Sequence, residues 1–108
     1  KKESEYGDIF VTKHIMATLI NTKGAKTNVS AKAKTFDIGE LQGFVGGFIE
    51  IVRLPKAEKF LVVNEEGKIQ TPPLAFNKKA TEMFQKEYPT TKDYIVGNAL
   101  LCSYEEVD

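Results

Sequence analysis

LQGFVGGFIEIVRL, residues Leu41 to Leu54, passes from the end of a helix through paired glycines straight into a strand, and the fold is read outward from it. Upstream, Asp37 followed three residues later by Glu40 has the spacing of an N-cap and capping box, with Ile38, Leu41, Phe44 and Val45 at helical spacing on one face. Gly46 takes a left-handed C′ position without a Cβ clash, and Gly47 frees the exit. From Phe48 to Leu54 the only charged residues are Glu50 and Arg53, which predicts a strand with at least one buried face near the middle of a sheet.

Residues 1–8 are mostly charged and aperiodic, a lead-in to one domain over 9–108. Ile9 to Ile20 reads as a first strand, and Asn21-Thr-Lys-Gly24 as a turn. Val29, Ala31, Ala33 and Thr35 alternate with polar residues in a second, weaker strand, whose lysines suit an exposed edge; a mobile flap over 22–34 is the rival reading. Pro55 to Glu58 break the pattern, Phe60 to Val63 resume it, and Asn64 to Lys68 supply a glycine-containing turn. Thr71, Pro72 and Pro73 form a stiff extended connection. Asn77 caps a helix from about Lys78 to Tyr88, with Ala80, Met83, Phe84 and Tyr88 on one stripe. Tyr94 to Tyr104 is the last strand, with a bulge expected at Gly97-Asn98.

The class is therefore α+β, a single small domain with a mostly antiparallel or mixed sheet and two short helices in the order β-β-α-β-β-α-β. Without the weak strand this is the order of a ferredoxin-like unit, whose two helices share one sheet face.

The 108 residues suffice for one core, and 15 basic against 15 acidic residues give no overall field to attract nucleic acid or an anionic membrane. A lone cysteine, Cys102, excludes an internal disulfide and fits a reducing cytoplasm. A lone histidine, His14, leaves any metal site to carboxylates. No apolar run approaches the ~20 residues that span a bilayer. The chain opens on Lys1 rather than Met, which leaves room for flanking sequence.

LQGFVGGFIEIV at Leu41 to Val52, LVVNEEGK at Leu61 to Lys68, Asn77-Lys-Lys-Ala-Thr and IVGNALL at Ile95 to Leu101 occur in an order that resembles a small phage and mobile-element family, domain of unknown function 3846. The resemblance spans about Lys13 to Cys102. It implies no catalytic residues and no cofactor. What it does imply is provenance: accessory proteins often found beside anti-defence functions, acting in the bacterial cytoplasm.

Read residue by residue, His14 lacks a catalytic partner at a telling spacing, and Cys102 among Leu100, Leu101 and Tyr104 is a small buried hydrophobe. Glu50 on an apolar strand lies on the solvent face or pairs with a lysine of the neighbouring strand in the simpler reading, and meets a ligand in the other, since an unpaired buried carboxylate is costly. At Gly46-Gly47 the helix ends, so its dipole opposes an anion. Asn77 with Lys78 and Lys79 opens a helix and offers a phosphate seat, with plain N-capping as the simpler role. Asn98 is an amide that could read a base edge, and Lys26 belongs to the only basic cluster, which lacks interleaved aromatics. The expected function is non-enzymatic: sequestration of a small anionic nucleotide-type signal of a bacterial defence system through Glu50, Asn77, Lys78, Lys79, Asn98 and Lys26. The alternative is an interaction module that inhibits a host or phage protein, and a homodimer through an exposed edge is compatible with either.

Overall fold

The computed structural model describes residues 16–33 and 35–103. His14 and the Ile9–Ile15 part of the first predicted strand lie outside them. The described elements are β1 (Met16–Ile20), β2 (Lys26–Ser30), α1 (Ile38–Val45), β3 (Ile49–Leu54), β4 (Lys59–Asn64), α2 (Lys78–Glu87) and β5 (Ala99–Ser103), joined after β3 by a single 3-10 turn, Pro55–Ala57. The order and the α+β class are those expected. The five strands form one sheet in the order β2-β1-β5-β4-β3, and every ladder is antiparallel.

Local chemistry explains the starts and stops. Asp37 accepts the Glu40 N–H at 2.8 Å while Glu40 accepts the Asp37 N–H at 3.1 Å, closing the capping box of α1. At its other end Gly46 sits at φ 81°, a left-handed conformation that a Cβ would strain, and its N–H reaches the Gln42 carbonyl at 2.8 Å. Asn21 organises the β1–β2 turn, its side chain accepting the Lys23 and Ala25 N–H groups at 2.9 Å. The flap reading of 22–34 gives way to an edge strand, which begins three residues earlier than Val29 because Lys26 already pairs with Ile20.

The core is two layers of side chains, one on each side of the sheet. Phe60 and Val62 of β4, with Leu100 and Cys102 of β5 and Ala17 of β1, pack under Leu41 and Val45 of α1. The intervening residues Leu61, Val63 and Ala99 pack with Leu54 and Ile95 under Ala80 of α2. Alternation along the strands sends successive side chains to opposite faces, so the two helices cover opposite faces. This departs from the ferredoxin-like arrangement in both respects that define it: the helices do not share a face, and the sheet has no parallel pair.

Three further expectations are corrected. β3 is not central but lies at the sheet edge, with Ile51 41% exposed; the strand buried on both faces is its neighbour β4. β3 reads as apolar because Ile49 meets the α1 side and Val52 and Leu54 the α2 side, each at a helix flank. Ile38, placed on the apolar stripe of α1, is 58% exposed, because it starts the first turn where the helix has not yet reached the sheet. The last strand begins only at Ala99. Tyr94–Asn98 is irregular apart from a bridge between Phe76 and Val96, and Gly97 has φ 75°.

If β4 is the interior strand, Leu61→Ala costs about 2–5 kcal/mol of unfolding free energy. Ile51→Ala on the edge costs about 0.5 kcal/mol. Urea denaturation of both variants checks the order, and equal losses would contradict the placement of β3.

Candidate functional site

A cleft of about 400 Å³ opens between β3, α2, the turn after β4 and the segment leading to β5. Its apolar lining comes from Val52, Val63, Ile95 and Phe84. Tyr88, at the end of α2, packs against Phe84 with ring centroids 5.3 Å apart and donates its hydroxyl to the Arg53 carbonyl at 2.9 Å, pinning the helix to the edge strand. On the opposite wall the Lys68 ammonium pairs with Asp93 and lies 4.3 Å from the centre of the Tyr94 ring. The hydrogen bond from Lys68, then that from the Tyr94 N–H at 2.8 Å, hold the Asp93 carboxyl below its usual range.

Glu50 and Glu65 also line this cleft, and neither has an ion-pair partner among the described residues. Glu50 is exposed, so the penalty that would demand a partner for a buried carboxylate does not arise. No group of three or more metal-ligating side chains is found among the described residues.

The outer edge of β3 borders the same cleft. The Phe48 carbonyl accepts the Glu65 N–H at 2.8 Å, so the groups of Phe48 face β4, and alternation turns the N–H and C=O of Ile49, Ile51 and Arg53 outward. Tyr88 takes the Arg53 carbonyl. Beside these outward groups stand Phe48 and Ile69, 62% and 78% exposed.

The other predicted site residues do not join Glu50. Asn77 is fully buried and serves the fold: its carbonyl oxygen accepts the Ala80 N–H at 3.0 Å, and its amide donates to Ile20 at 3.0 Å and Gly97 at 2.8 Å. Lys79 lays its aliphatic stem over Gly24 in the β1–β2 turn, near the start of β2 where Lys26 stands, and Lys78 reaches Glu82 one helical turn away at 4.0 Å. Asn98 donates to the Phe44 carbonyl at 3.3 Å and lines a separate depression with Thr22 and Leu74. Thus Asn77, Lys78, Lys79 and Lys26 gather loosely at one end of β1, while Glu50 and Asn98 belong to two other places.

Sequence reasoning passed over Asn64, whose amide donates to the Val45 carbonyl at 3.1 Å and whose oxygen accepts the Glu66 N–H at 2.8 Å. A Cβ on Gly47 would come within 2.9 Å of that amide, so the second glycine is there for close approach. The signal was an asparagine ending a fully apolar run. Tyr88, Tyr94, Lys68 and Asp93 were likewise overlooked as a group, having no shared motif.

The family described as Domain of unknown function (DUF3846) matches residues 16–108, and the chain belongs to it. No curated protein and no solved structure matches the chain. No helix among the described residues is long and apolar enough to cross a membrane.

Replacing Asn77 by Ala removes the helix cap and the amide that donates to the buried Ile20 and Gly97 carbonyls. A loss of about 2–4 kcal/mol is expected in denaturant unfolding. Asp93→Asn tests the ion pair through pH. With its folded pKa depressed, Asp93 stabilises the fold above the ordinary carboxylate pKa, and that stabilisation fades as pH falls through the folded value. The wild type should therefore exceed the variant at pH 7 by less than about 1 kcal/mol, since the pair is exposed to solvent. The difference should shrink below pH ~4.

Proposed function

We propose that this protein is a non-enzymatic interaction module that holds an extended segment of another protein against the outer edge of β3, with side chains of that segment entering the neighbouring cleft. One observation carries the reading: the N–H and C=O groups of Ile49 and Ile51 face outward from an edge strand that is apolar apart from Glu50 and Arg53 and carries no lysine. Strand addition takes its affinity from such main-chain groups and its specificity from pockets for alternate side chains. The opposite edge differs: β2 is almost wholly exposed, carries Lys26 and is poorly suited to pairing. The free carboxylates of Glu50 and Glu65 favour a partner segment bearing Lys or Arg. A role in counter-defence, as an accessory protein of a phage or mobile element in the bacterial cytoplasm, is part of this proposal and rests on the family resemblance.

Sequestration of an anionic nucleotide has weaker support. Its proposed ligands fall in three places, the side chain of Asn77 is engaged within the fold, and the cleft beside Glu50 is rimmed by acids that repel phosphate.

The test uses Ile51→Pro, which removes an outward donor while leaving the bonds to β4 in place. Affinity capture from bacterial lysate with the wild-type chain should yield a stoichiometric protein that Ile51→Pro loses and Lys26→Glu retains. Equal capture by both variants would remove the β3 edge from the mechanism. A thermal shift with a defence nucleotide that vanishes in Lys79→Ala would favour the nucleotide reading instead.

A further inference from the structure

A second hollow, sharing no residue with the β3 cleft, lies where the C-terminal half of α2 leaves the ends of β3, β4 and β5 uncovered. Its volume is about 540 Å³. Small-molecule sites occupy roughly 300–1,000 Å³. The apolar lining is Leu54, Met83 and Leu101, of which Leu54 is buried and the other two half-buried.

The rim is cationic. Lys56 follows Pro55 in the 3-10 turn, Lys59 opens β4 and Lys86 sits in the last turn of α2, and none has an ion-pair partner among the described residues. Among the described residues the single acid lining the hollow is Glu87, and it is engaged, its two oxygens accepting the Lys56 and Ala57 N–H groups at 3.0 and 2.9 Å. Lys86 offsets the negative end of the α2 dipole, so the rim keeps a net positive charge. Lysine stems extend an apolar wall while their ammonium groups stay at the mouth.

We propose that this hollow binds a small amphipathic anion, an apolar body carrying one carboxylate, phosphate or sulfonate head. An uncharged apolar ligand would leave three ammonium groups without a counter-charge, and a simple anion would leave the apolar lining uncovered. Only a ligand with both parts matches the pairing of lining and rim.

Titration calorimetry of the full chain with decanoate, decanol and acetate tests the assignment. Decanoate should saturate a single site, with decanol and acetate at least tenfold weaker. The double variant Lys59→Glu, Lys86→Glu should weaken decanoate at least tenfold with the thermal midpoint unchanged, since both side chains are exposed. Met83→Trp, which fills the hollow, should abolish binding. Undiminished binding by the lysine variant, or no saturation by wild type, overturns the proposal. So would tighter binding of an acidic, leucine-bearing peptide, or of phosphatidylglycerol vesicles, through the same lysines, because each would assign the hollow to a macromolecular surface. A self-association lost in the lysine variant would give it to a second copy of the chain.

Discussion

β4 is buried on both faces, and most of the architecture follows from that. Phe60 and Val62 must be covered on one side, Leu61 and Val63 on the other, and no single helix can do both. α1 covers one side and α2 the other. β3 on one side and β5 on the other complete the ladders that satisfy the backbone of a strand shut off from water. With two helices of only 8 and 10 residues, coverage stops short of the margins. Both clefts described above lie along the flanks of α2, which leaves them open.

Three asparagines secure the joints of this arrangement. A helix ends with carbonyls that have no intrahelical donor. In α1 the Phe44 and Val45 carbonyls receive the amides of Asn98 and Asn64, which come from the approach to β5 and the end of β4. Asn77 does the complementary work at α2, capping its first turn while tying Ile20 to Gly97. A side-chain amide suits these places because it donates to backbone carbonyls without bringing a charge into the interior. Asn77 and Asn98, two of the candidate ligands in the sequence, therefore each have a role within the fold.

Local features were legible in the sequence because their causes are local. The capping box at Asp37, the left-handed glycine at Gly46, the Asn21 turn and the Asn77 cap each depend on residues a few positions apart, and all are found where they were read. Strand order was not legible, because apolarity reports contact and not position. The run Ile49–Val52 is apolar but for Glu50 and Leu61–Val63 is apolar throughout, yet one lies at the edge between two helix flanks and the other in the middle. The same limit hid the cleft: Lys68 and Asp93 are 25 residues apart and meet only through tertiary packing. Glu50 stands on the solvent side, the simpler of the readings that its strand allows, and lines that cleft.

The two edges of the sheet are chemically unequal. β2 and β3 lie at opposite ends of the strand order, joined in sequence by the segment that carries α1 over one face of the sheet. The first edge is polar and exposed apart from Val29, as solvent demands. The second must supply Ile49, Val52 and Leu54 to the two helix flanks and so cannot be polar. Its apolar character is thus imposed from the core side, while its outward N–H and C=O groups remain, a combination that solvent alone does not stabilise well. Tyr88 closes only the Arg53 end by taking that carbonyl. Among the described residues nothing takes the groups of Ile49 and Ile51, and the proposed strand addition would satisfy them without disturbing the packing beneath.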